Sequence, residues 1–174
     1  MEKSEQINLK SNSKKAEASR LEKLKKTVII VGASSGIGFE TALRMLGRGF
    51  LVANISRTPC ALGRVKNYTA DIASGKSLEK AIMEIAGQTE NLYGLIYCAG
   101  FSMAAPIEYA EEQDYRYLFE INYFGALRSM KTIIPFLKKR GGRILFVSSM
   151  GGTFPIAFDS FYSSAKAAVN MLAK

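Results

Sequence analysis

The chain has 174 residues, 48% of them hydrophobic, and a formal net charge of +9, values that predict a single globular domain with its own core. It contains no histidine, and its two cysteines, Cys60 and Cys98, match no metal-ligand spacing, which excludes the familiar zinc sites and Ser/His/Asp triads. No apolar run approaches the roughly 18 residues needed to span a bilayer, and the first residues form no hydrophobic signal block, so we expect a cytoplasmic protein without a membrane span.

The first 26 residues differ from the rest of the chain in charge. They hold eight Lys or Arg and four Glu, a net +4, with little apolar content. Such a segment is typical of a flexible basic tail or a surface helix, and we place the folded domain at residues 27–174. Because no aromatic residue interleaves with these charges and no recognition motif is present, the sequence argues against nucleic acid as a partner.

Strands and helices are predicted to alternate along the remaining chain. The run "TVIIV" predicts a buried strand, and strands also fit "FLVANIS", "KNYTADI", "LYGLIYCAG" and "RILFVSS". Helices are predicted at "IGFETALRMLGRG", at "SLEKAIMEIA", from about Glu111 to Lys139 and from about Ser160, whereas "RTPCALGR" is irregular. This order predicts an α/β fold, a doubly wound parallel sheet with helices on both faces, whose ligand binds beyond the carboxyl ends of the strands.

A glycine-rich turn follows the first predicted strand. In "VGASSGIG", Gly32, Gly36 and Gly38 have a spacing that lets backbone N–H groups and the N-terminus of the next helix approach a pyrophosphate. The predicted site also includes the residues between these glycines: Ser34, Ser35 and Ile37. The alternative is a tight strand-to-helix connection, but the position directly after the first strand favours nucleotide binding.

The end of the second predicted strand indicates which cofactor is preferred. A carboxylate at this place bonds a ribose 2′-hydroxyl, whereas an arginine accommodates a 2′-phosphate. The sequence reads "NISRT", and no Asp or Glu occurs between Glu40 and Asp71. We therefore predict that Arg57 binds the phosphate and that NADP(H) is preferred over NAD(H), with an ordinary surface arginine as the alternative.

Two further segments are expected at the same edge of the sheet. Asp71 and Ile72 follow the third strand, where the carboxylate could accept from an adenine amino group or could cap the next helix or turn. Ala99 and Gly100 end the fourth strand, where small residues would let the sheet lie close to the cofactor, although a simple turn glycine is the alternative.

The last segment, "FYSSAKAAVNMLAK", contains a candidate proton donor. Tyr162 and Lys166 are four residues apart, a spacing that places both side chains on one face of a helix. A phenol is a weak acid near neutral pH, but a neighbouring ammonium favours its ionised form, and no histidine is present to do this work. A Tyr/Lys pair on a helix can also be ordinary surface packing.

Together these motifs resemble those of the classical short-chain dehydrogenase/reductase family. The resemblance is carried, in this order, by the three glycines, "CAG" at 98–100, Asn122 in "INYFG", Ser149 in "VSSMGG" and the pair in "YSSAK". It implies a Rossmann-type fold and hydride transfer between NADP(H) and a carbonyl or secondary alcohol, with Tyr162 as general acid and base. It also implies that Ser149 hydrogen-bonds the substrate oxygen, that Lys166 bonds the nicotinamide ribose, and that Asn122 orders a water linking Lys166 to solvent. A homodimer or homotetramer is implied as well.

The sequence departs from the family pattern in three ways. Tyr97 and Cys98 replace the usual Asn-Asn, and only thirteen residues separate Arg57 from Asp71, so the helix between strands two and three is shortened or lost. The resemblance covers about the first two-thirds of the usual domain, so we expect the fifth strand to be a sheet edge and the chain to be a fragment or a truncated member.

The truncation leaves a second function open, an inactive nucleotide-binding or interaction protein of the same fold. If the chain is an enzyme, its substrate is a small molecule, and the apolar stretch "GGTFPIAFDSF" before Tyr162 favours an apolar one.

Overall fold

The computed structural model describes residues 25–174. The predicted basic tail, residues 1–26, lies outside the described residues except for Lys25 and Lys26. The first described element is β1, Thr27–Val31, whose five residues are all buried. A β-branched run without polar interruption forms such a strand because both faces of a central parallel strand are covered.

Five parallel strands form one sheet. They are β1, β2 (Leu51–Ser56), β3 (Val65–Thr69), β4 (Leu92–Tyr97) and β5 (Arg143–Phe146). Their order across the sheet is β3-β2-β1-β4-β5, and every neighbouring pair is parallel. The order reverses at β1, so the doubly wound Rossmann-type arrangement is confirmed and the crevice between the ends of β1 and β4 is the expected ligand position.

Helices connect the strands. They are α1 (Gly36–Gly47), α2 (Gly75–Gln88), α3 (Glu112–Phe119), α4 (Gly125–Leu137) and α5 (Ser160–Leu172). The helical region expected from about Glu111 to Lys139 is present over residues 112–137, and a π-helical turn, Glu120–Phe124, divides it into α3 and α4. In this turn the Gly125 amide donates to the Glu120 carbonyl, five residues back, and such turns are frequent at functional sites.

Two apolar clusters cover the two faces of the sheet. The larger one joins β1, β2 and β4 to α2, α4 and α5 through buried side chains that include Ile29, Ile82, Leu95, Ile133 and Val169. The smaller one packs Ala42 and Leu46 of α1 against Val28, Ile30 and Val52. Both faces of β1 therefore lie in a core, which fixes the turn that follows this strand.

The two departures in the sequence that concern the sheet are visible in the fold. Between Ser56 of β2 and Val65 of β3 the described chain contains no helix. On the other side, β5 is the outermost strand, and its Leu145 side chain is 53% exposed. In the part of the chain that the structure describes, no helix is long and apolar enough to cross a bilayer.

Candidate active site

A cleft of about 600 Å³ lies at the carboxyl ends of β1, β2 and β4. Apart from Tyr162 and Lys166, every residue predicted to bind the cofactor lines this cleft. These eleven residues are Gly32, Ser34, Ser35, Gly36, Ile37, Gly38, Arg57, Asp71, Ile72, Ala99 and Gly100. The sequence missed other lining residues, among them Ser56, Cys98, Phe101, Tyr117 and Ile121. The structure thus brings the predicted segments together in one cavity.

The glycine-rich turn allows close backbone packing beneath this cleft. Gly32 has φ +93°, and a Cβ there would stand 2.9 Å from the Ala99 amide nitrogen. A Cβ on Gly38 would stand 2.0 Å from the Gly32 carbonyl oxygen, a distance no side chain can occupy. Gly38 thus lets α1 begin directly against the turn, and the first N–H groups of α1, which have no partner within the helix, border the cleft.

A buried asparagine that the sequence did not single out fixes this turn. Asn54 in β2 is 1% exposed, and its Oδ1 accepts from the Ala33 amide at 2.9 Å. Its Nδ2 donates to Ser56 Oγ and to Asn67 Oδ1 at 2.8 and 2.9 Å. The only sign of this role in the sequence is an amide side chain within the apolar run of β2. Because buried polar groups are hydrogen-bonded, such a side chain indicates a polar link from β2 to a neighbouring segment, here the turn.

Arg57 lines the cleft and faces a residue from a distant segment. Its guanidinium donates to the Tyr117 hydroxyl of α3 at 3.4 Å. The Tyr117 ring packs against Phe101 with 5.7 Å between centroids. These three side chains form one wall of the cleft, and the structure keeps Arg57 free of any carboxylate partner within the described residues.

For Asp71 the sequence left two roles open, accepting from an adenine amino group and capping the next helix or turn. One role does not exclude the other. Its Oδ1 accepts from the Ala73 amide at 3.0 Å, which closes a turn, while Ser74 rather than Asp71 caps α2. The residue also lines the cleft. A carboxylate has acceptor capacity for more than one partner, so the turn leaves Asp71 able to accept from a ligand.

Lys166 is buried in the middle of α5 and is hydrogen-bonded to the two residues that follow β5. It is 4% exposed, its Nζ donates to the Val147 carbonyl at 3.0 Å, and its backbone carbonyl accepts from Ser148 Oγ at 3.2 Å. The Nζ atom lies 5.6 Å from the centroid of the Tyr162 ring. Burial lowers the pKa of the Lys166 ammonium, because removing water disfavours the charged form.

Asn122 occupies the π-helical turn and is fully buried. Its Nδ2 donates to the carbonyls of Leu118 and Phe101 at 3.0 and 2.9 Å, while its Oδ1 has no hydrogen-bond partner among the described residues. A Cβ on Gly100 would stand 2.5 Å from this Oδ1 and 3.2 Å from Lys166 Nζ. The two side chains therefore face the same space beside Gly100.

Tyr97, one of the departures from the family pattern, supports this turn. Its buried hydroxyl donates to the Ile121 carbonyl at 2.5 Å, next to Asn122. Burial raises the pKa of Tyr97, so the phenol keeps its proton and remains a donor. Glycine at position 125 leaves room for the Tyr97 hydroxyl, because a Cβ there would stand 2.2 Å from the hydroxyl oxygen. Cys98, the other departure, lies in the cleft lining, and burial raises the pKa of its thiol to about 11.

Ser149 follows β5, where the chain turns back toward α5. Its Oγ accepts from the Gly151 amide at 3.1 Å, which leaves the hydroxyl hydrogen free to donate. Ser148 is committed to the Lys166 carbonyl instead. This difference is consistent with the expectation that Ser149 contacts a substrate.

The loop between Ser149 and Tyr162 is fastened to the loop after β4. Ser102 Oγ donates to Asp159 Oδ1 at 2.7 Å, and the Ala105 amide donates to the Phe158 carbonyl at 2.7 Å. Phe158 has φ +62°, a left-handed conformation that is strained for an aromatic residue. The apolar side chains of Phe154, Ile156 and Phe158 on this loop are 45–68% exposed.

One family model and several curated proteins match the chain. The family model described as short chain dehydrogenase matches residues 26–174. A 3-ketodihydrosphingosine reductase of Bacteroides thetaiotaomicron is 33% identical over 144 residues, which cover 82% of this chain and 54% of the relative.

Solved structures have the same fold. The ligand-free aldohexose dehydrogenase of Thermoplasma acidophilum superposes with a TM-score of 0.82 at 26% identity, covering 87% of this chain and 60% of that protein. ElxO with NADP bound gives 0.80 at 25% identity, covering 86% and 65%. The chain thus spans little more than half the length of the curated relative and about three-fifths of these structures.

Proposed function

The chain belongs to the short-chain dehydrogenase family, and on this premise we propose that it interconverts a carbonyl and a secondary alcohol with NADP(H), using Tyr162 as general acid and base. One observation carries the proposal: Gly100 lines the cofactor cleft and at the same time abuts Asn122 and Lys166. Gly100 therefore links the cleft lined by the cofactor residues to two of the four residues expected to be catalytic.

The cleft fits a dinucleotide. The glycine-rich turn and the N-terminus of α1 would hold the pyrophosphate, and Ala99 and Gly100 would lie under the nicotinamide end. A bound nicotinamide supplies or accepts the hydride. Arg57 supports the NADP preference, because its guanidinium borders the cleft without an acidic partner in residues 25–174.

The proton is handled by the chain's own side chains. Tyr162 would give its phenolic proton to the substrate oxygen during reduction, and Lys166, one helical turn away, would stabilise the resulting phenolate. Ser149 would donate its free hydroxyl hydrogen to the same oxygen. The unpartnered Asn122 Oδ1 supports a water between Asn122 and Lys166 as the route to solvent.

An apolar substrate suits the loop before Tyr162. Phe154, Ile156 and Phe158 are exposed there, and the strained Phe158 is held in place by the Ala105 amide. Strained residues persist where the surrounding structure holds them, and they are frequent at functional sites. Exposed apolar side chains beside a site are typical of ligand contact.

The substitution Tyr162→Phe tests the proton role. We expect it to reduce NADPH-dependent turnover of a carbonyl panel by at least about 100-fold, the scale of general acid catalysis, with NADPH affinity nearly unchanged. Tyr93→Phe, at the opposite end of β4, is the matched control and should keep wild-type turnover. Near-normal turnover by Tyr162→Phe, or NADPH binding by the intact wild type without turnover of any carbonyl, would contradict the proposal.

The substitution Arg57→Asp tests the cofactor preference. The new carboxylate should repel a 2′-phosphate and accept from a ribose hydroxyl, so the ratio of NADPH to NADH affinity should fall by about tenfold or more. Arg44→Asp, on α1, makes the same charge change away from the cleft lining. An unchanged ratio in Arg57→Asp would remove Arg57 from the phosphate site.

A further inference from the structure

Positive charge is concentrated at the end of the domain opposite the cofactor cleft. Residues 25–174 hold eighteen Lys or Arg and eleven Asp or Glu. At the edge where the strands begin and α1, α2 and α4 end there are ten of these cations and two of the acids. We call this surface the basic edge; its cations are Lys25, Lys26, Arg44, Arg48, Arg64, Lys66, Lys138, Lys139, Arg140 and Arg143, and its acids are Glu84 and Glu90. The rest of the described domain has a net charge of −1.

The segments that carry these charges adjoin one another. The Lys26 carbonyl accepts from the Leu51 amide, and the Lys26 ammonium lies 4.8 Å from the centroid of the Tyr93 ring. Arg140 donates to the Glu90 carbonyl, which joins the end of α4 to the start of β4. Because β3 and β5 are the two outer strands, the cations span four strand spacings, roughly 19 Å.

Folding alone does not account for this surface. Cations at helix C-termini complement the helix dipole, which explains Arg44 or Lys138 but not the cations at strand starts such as Arg64 and Arg143. All ten side chains belong to exposed residues, and none forms an ion pair within the described residues. So many unpaired like charges repel one another, and an anionic partner would relieve that repulsion.

The geometry of the basic edge selects among anionic partners. Only Arg64 and Lys66 border the recess of about 350 Å³ at this edge, so the ten cations do not converge on one small anion. Tyr93, its aromatic side chain nearest the charges, already packs against Lys26 and Phe50, which disfavours stacking of nucleic-acid bases. Of the described exposed large apolar side chains, Leu43, Met83 and Leu145 lie within two residues of a basic-edge residue. They belong to three separate elements, whereas protein interfaces have a contiguous apolar core.

We propose that the basic edge docks on the surface of an anionic lipid bilayer. A broad set of Lys and Arg without inserted apolar side chains binds such a surface by charge, each cation contributing on the order of 1 kcal/mol. The cofactor cleft lies at the opposite ends of the strands, so it would face away from the lipid and stay open. This proposal does not depend on the proposed activity.

Vesicle sedimentation of the full chain tests the proposal. We expect binding to phosphatidylcholine vesicles that contain phosphatidylserine, none to phosphatidylcholine alone, and weaker binding as salt rises above about 0.15 M. The triple substitution Arg48→Gln, Lys138→Gln and Lys139→Gln should weaken binding on the order of 100-fold. The thermal unfolding midpoint of this variant should match that of the wild type, which shows that it folds.

A second triple variant controls for overall charge. Lys76→Gln, Lys80→Gln and Lys131→Gln remove the same charge from exposed positions away from the basic edge, and residues 1–24 are present in both variants. This variant should lose little vesicle binding. Equal losses in the two variants, binding to neutral vesicles, or tighter binding to an oligonucleotide at equal phosphate concentration would overturn the proposal.

Discussion

The two halves of the candidate site are held in different ways. The cofactor half follows β1, where Ile29 and Ile30 are fully buried and both sheet faces are covered. The catalytic half follows β5, an outer strand whose Leu145 is 53% exposed. Its alignment depends on a few polar links, chiefly Lys166 to Val147 and Ser148 to Lys166.

Because of this difference, the two halves should tolerate different substitutions. In the cofactor half, backbone atoms pack so closely that a single methyl group has no room, and the cost falls on the fold itself. In the catalytic half, side chains meet beside Gly100 without being part of the central core, so a small displacement should change chemistry more than stability. Substitutions can therefore be chosen that act on one half at a time.

The largest effect is expected from Gly38→Ala. The new Cβ would lie 2.0 Å from the Gly32 carbonyl oxygen, so α1 must move away from the turn. We expect a loss of at least about 2 kcal/mol in the free energy of unfolding and at least about a tenfold loss of NADPH affinity, measured by denaturant titration and by fluorescence.

Gly47→Ala is the matched control in the same helix. No atom outside its own chain neighbours lies within 4 Å of that Cβ, so this variant should be as stable as the wild type or more stable by roughly 0.5–1 kcal/mol. If Gly38→Ala were as stable as Gly47→Ala and bound NADPH normally, close packing would not be what forms the cofactor half.

A more selective effect is expected from Gly100→Ala. The added methyl group would lie 2.5 Å from Asn122 Oδ1 and 3.2 Å from Lys166 Nζ, and both are side-chain atoms that can shift. We expect kcat to fall by about 100-fold, since displacements near 1 Å have that cost, while the free energy of unfolding changes less than in Gly38→Ala. Gly63→Ala, in an open loop, controls for added methyl groups. If Gly100→Ala lost as much free energy of unfolding as Gly38→Ala while kcat stayed near the wild-type value, the distinction between the halves would be removed.

Local patterns predicted the frame of the fold because four of the five strands were marked by an apolar run, whereas "KNYTADI" indicated the third strand only weakly. The doubly wound parallel sheet, the shortened or lost helix between β2 and β3, and β5 as a sheet edge are confirmed. The same reasoning missed the π-helical turn, because only the helical region as a whole was predicted and the turn is held by tertiary contacts. One such contact comes from Tyr97, which the sequence marked only as a departure.

The cofactor residues were predictable because they follow strands whose ends meet at one edge of the sheet. Asn54 and Tyr117 were missed for the opposite reason. Their partners, Ala33 and Arg57, are 21 and 60 residues away, and no local pattern links such pairs. The roles proposed for Ser149 and Tyr162 stay predictions until variants are measured.

The smallest effect concerns the charge on Lys166. Burial lowers its pKa in the folded protein below the value of about 10.4 in the unfolded chain, so the unfolded chain binds more protons between those two values. The free energy of unfolding should therefore rise with pH in this window, with a slope of at most about 1.4 kcal/mol per pH unit from this group.

Lys166→Met should remove that slope, because the variant has no ammonium to bury. The raised pKa of the Cys98 thiol acts in the opposite direction above the ordinary value of 9.0, since the folded protein then holds the extra proton. Subtracting the Lys166→Met curve of unfolding free energy against pH from the wild-type curve largely cancels the Cys98 contribution. Lys131→Met controls for the loss of one positive charge. A flat difference curve from pH 7 to about 10.4 would show that the Val147 carbonyl compensates fully for the water that Lys166 loses on burial.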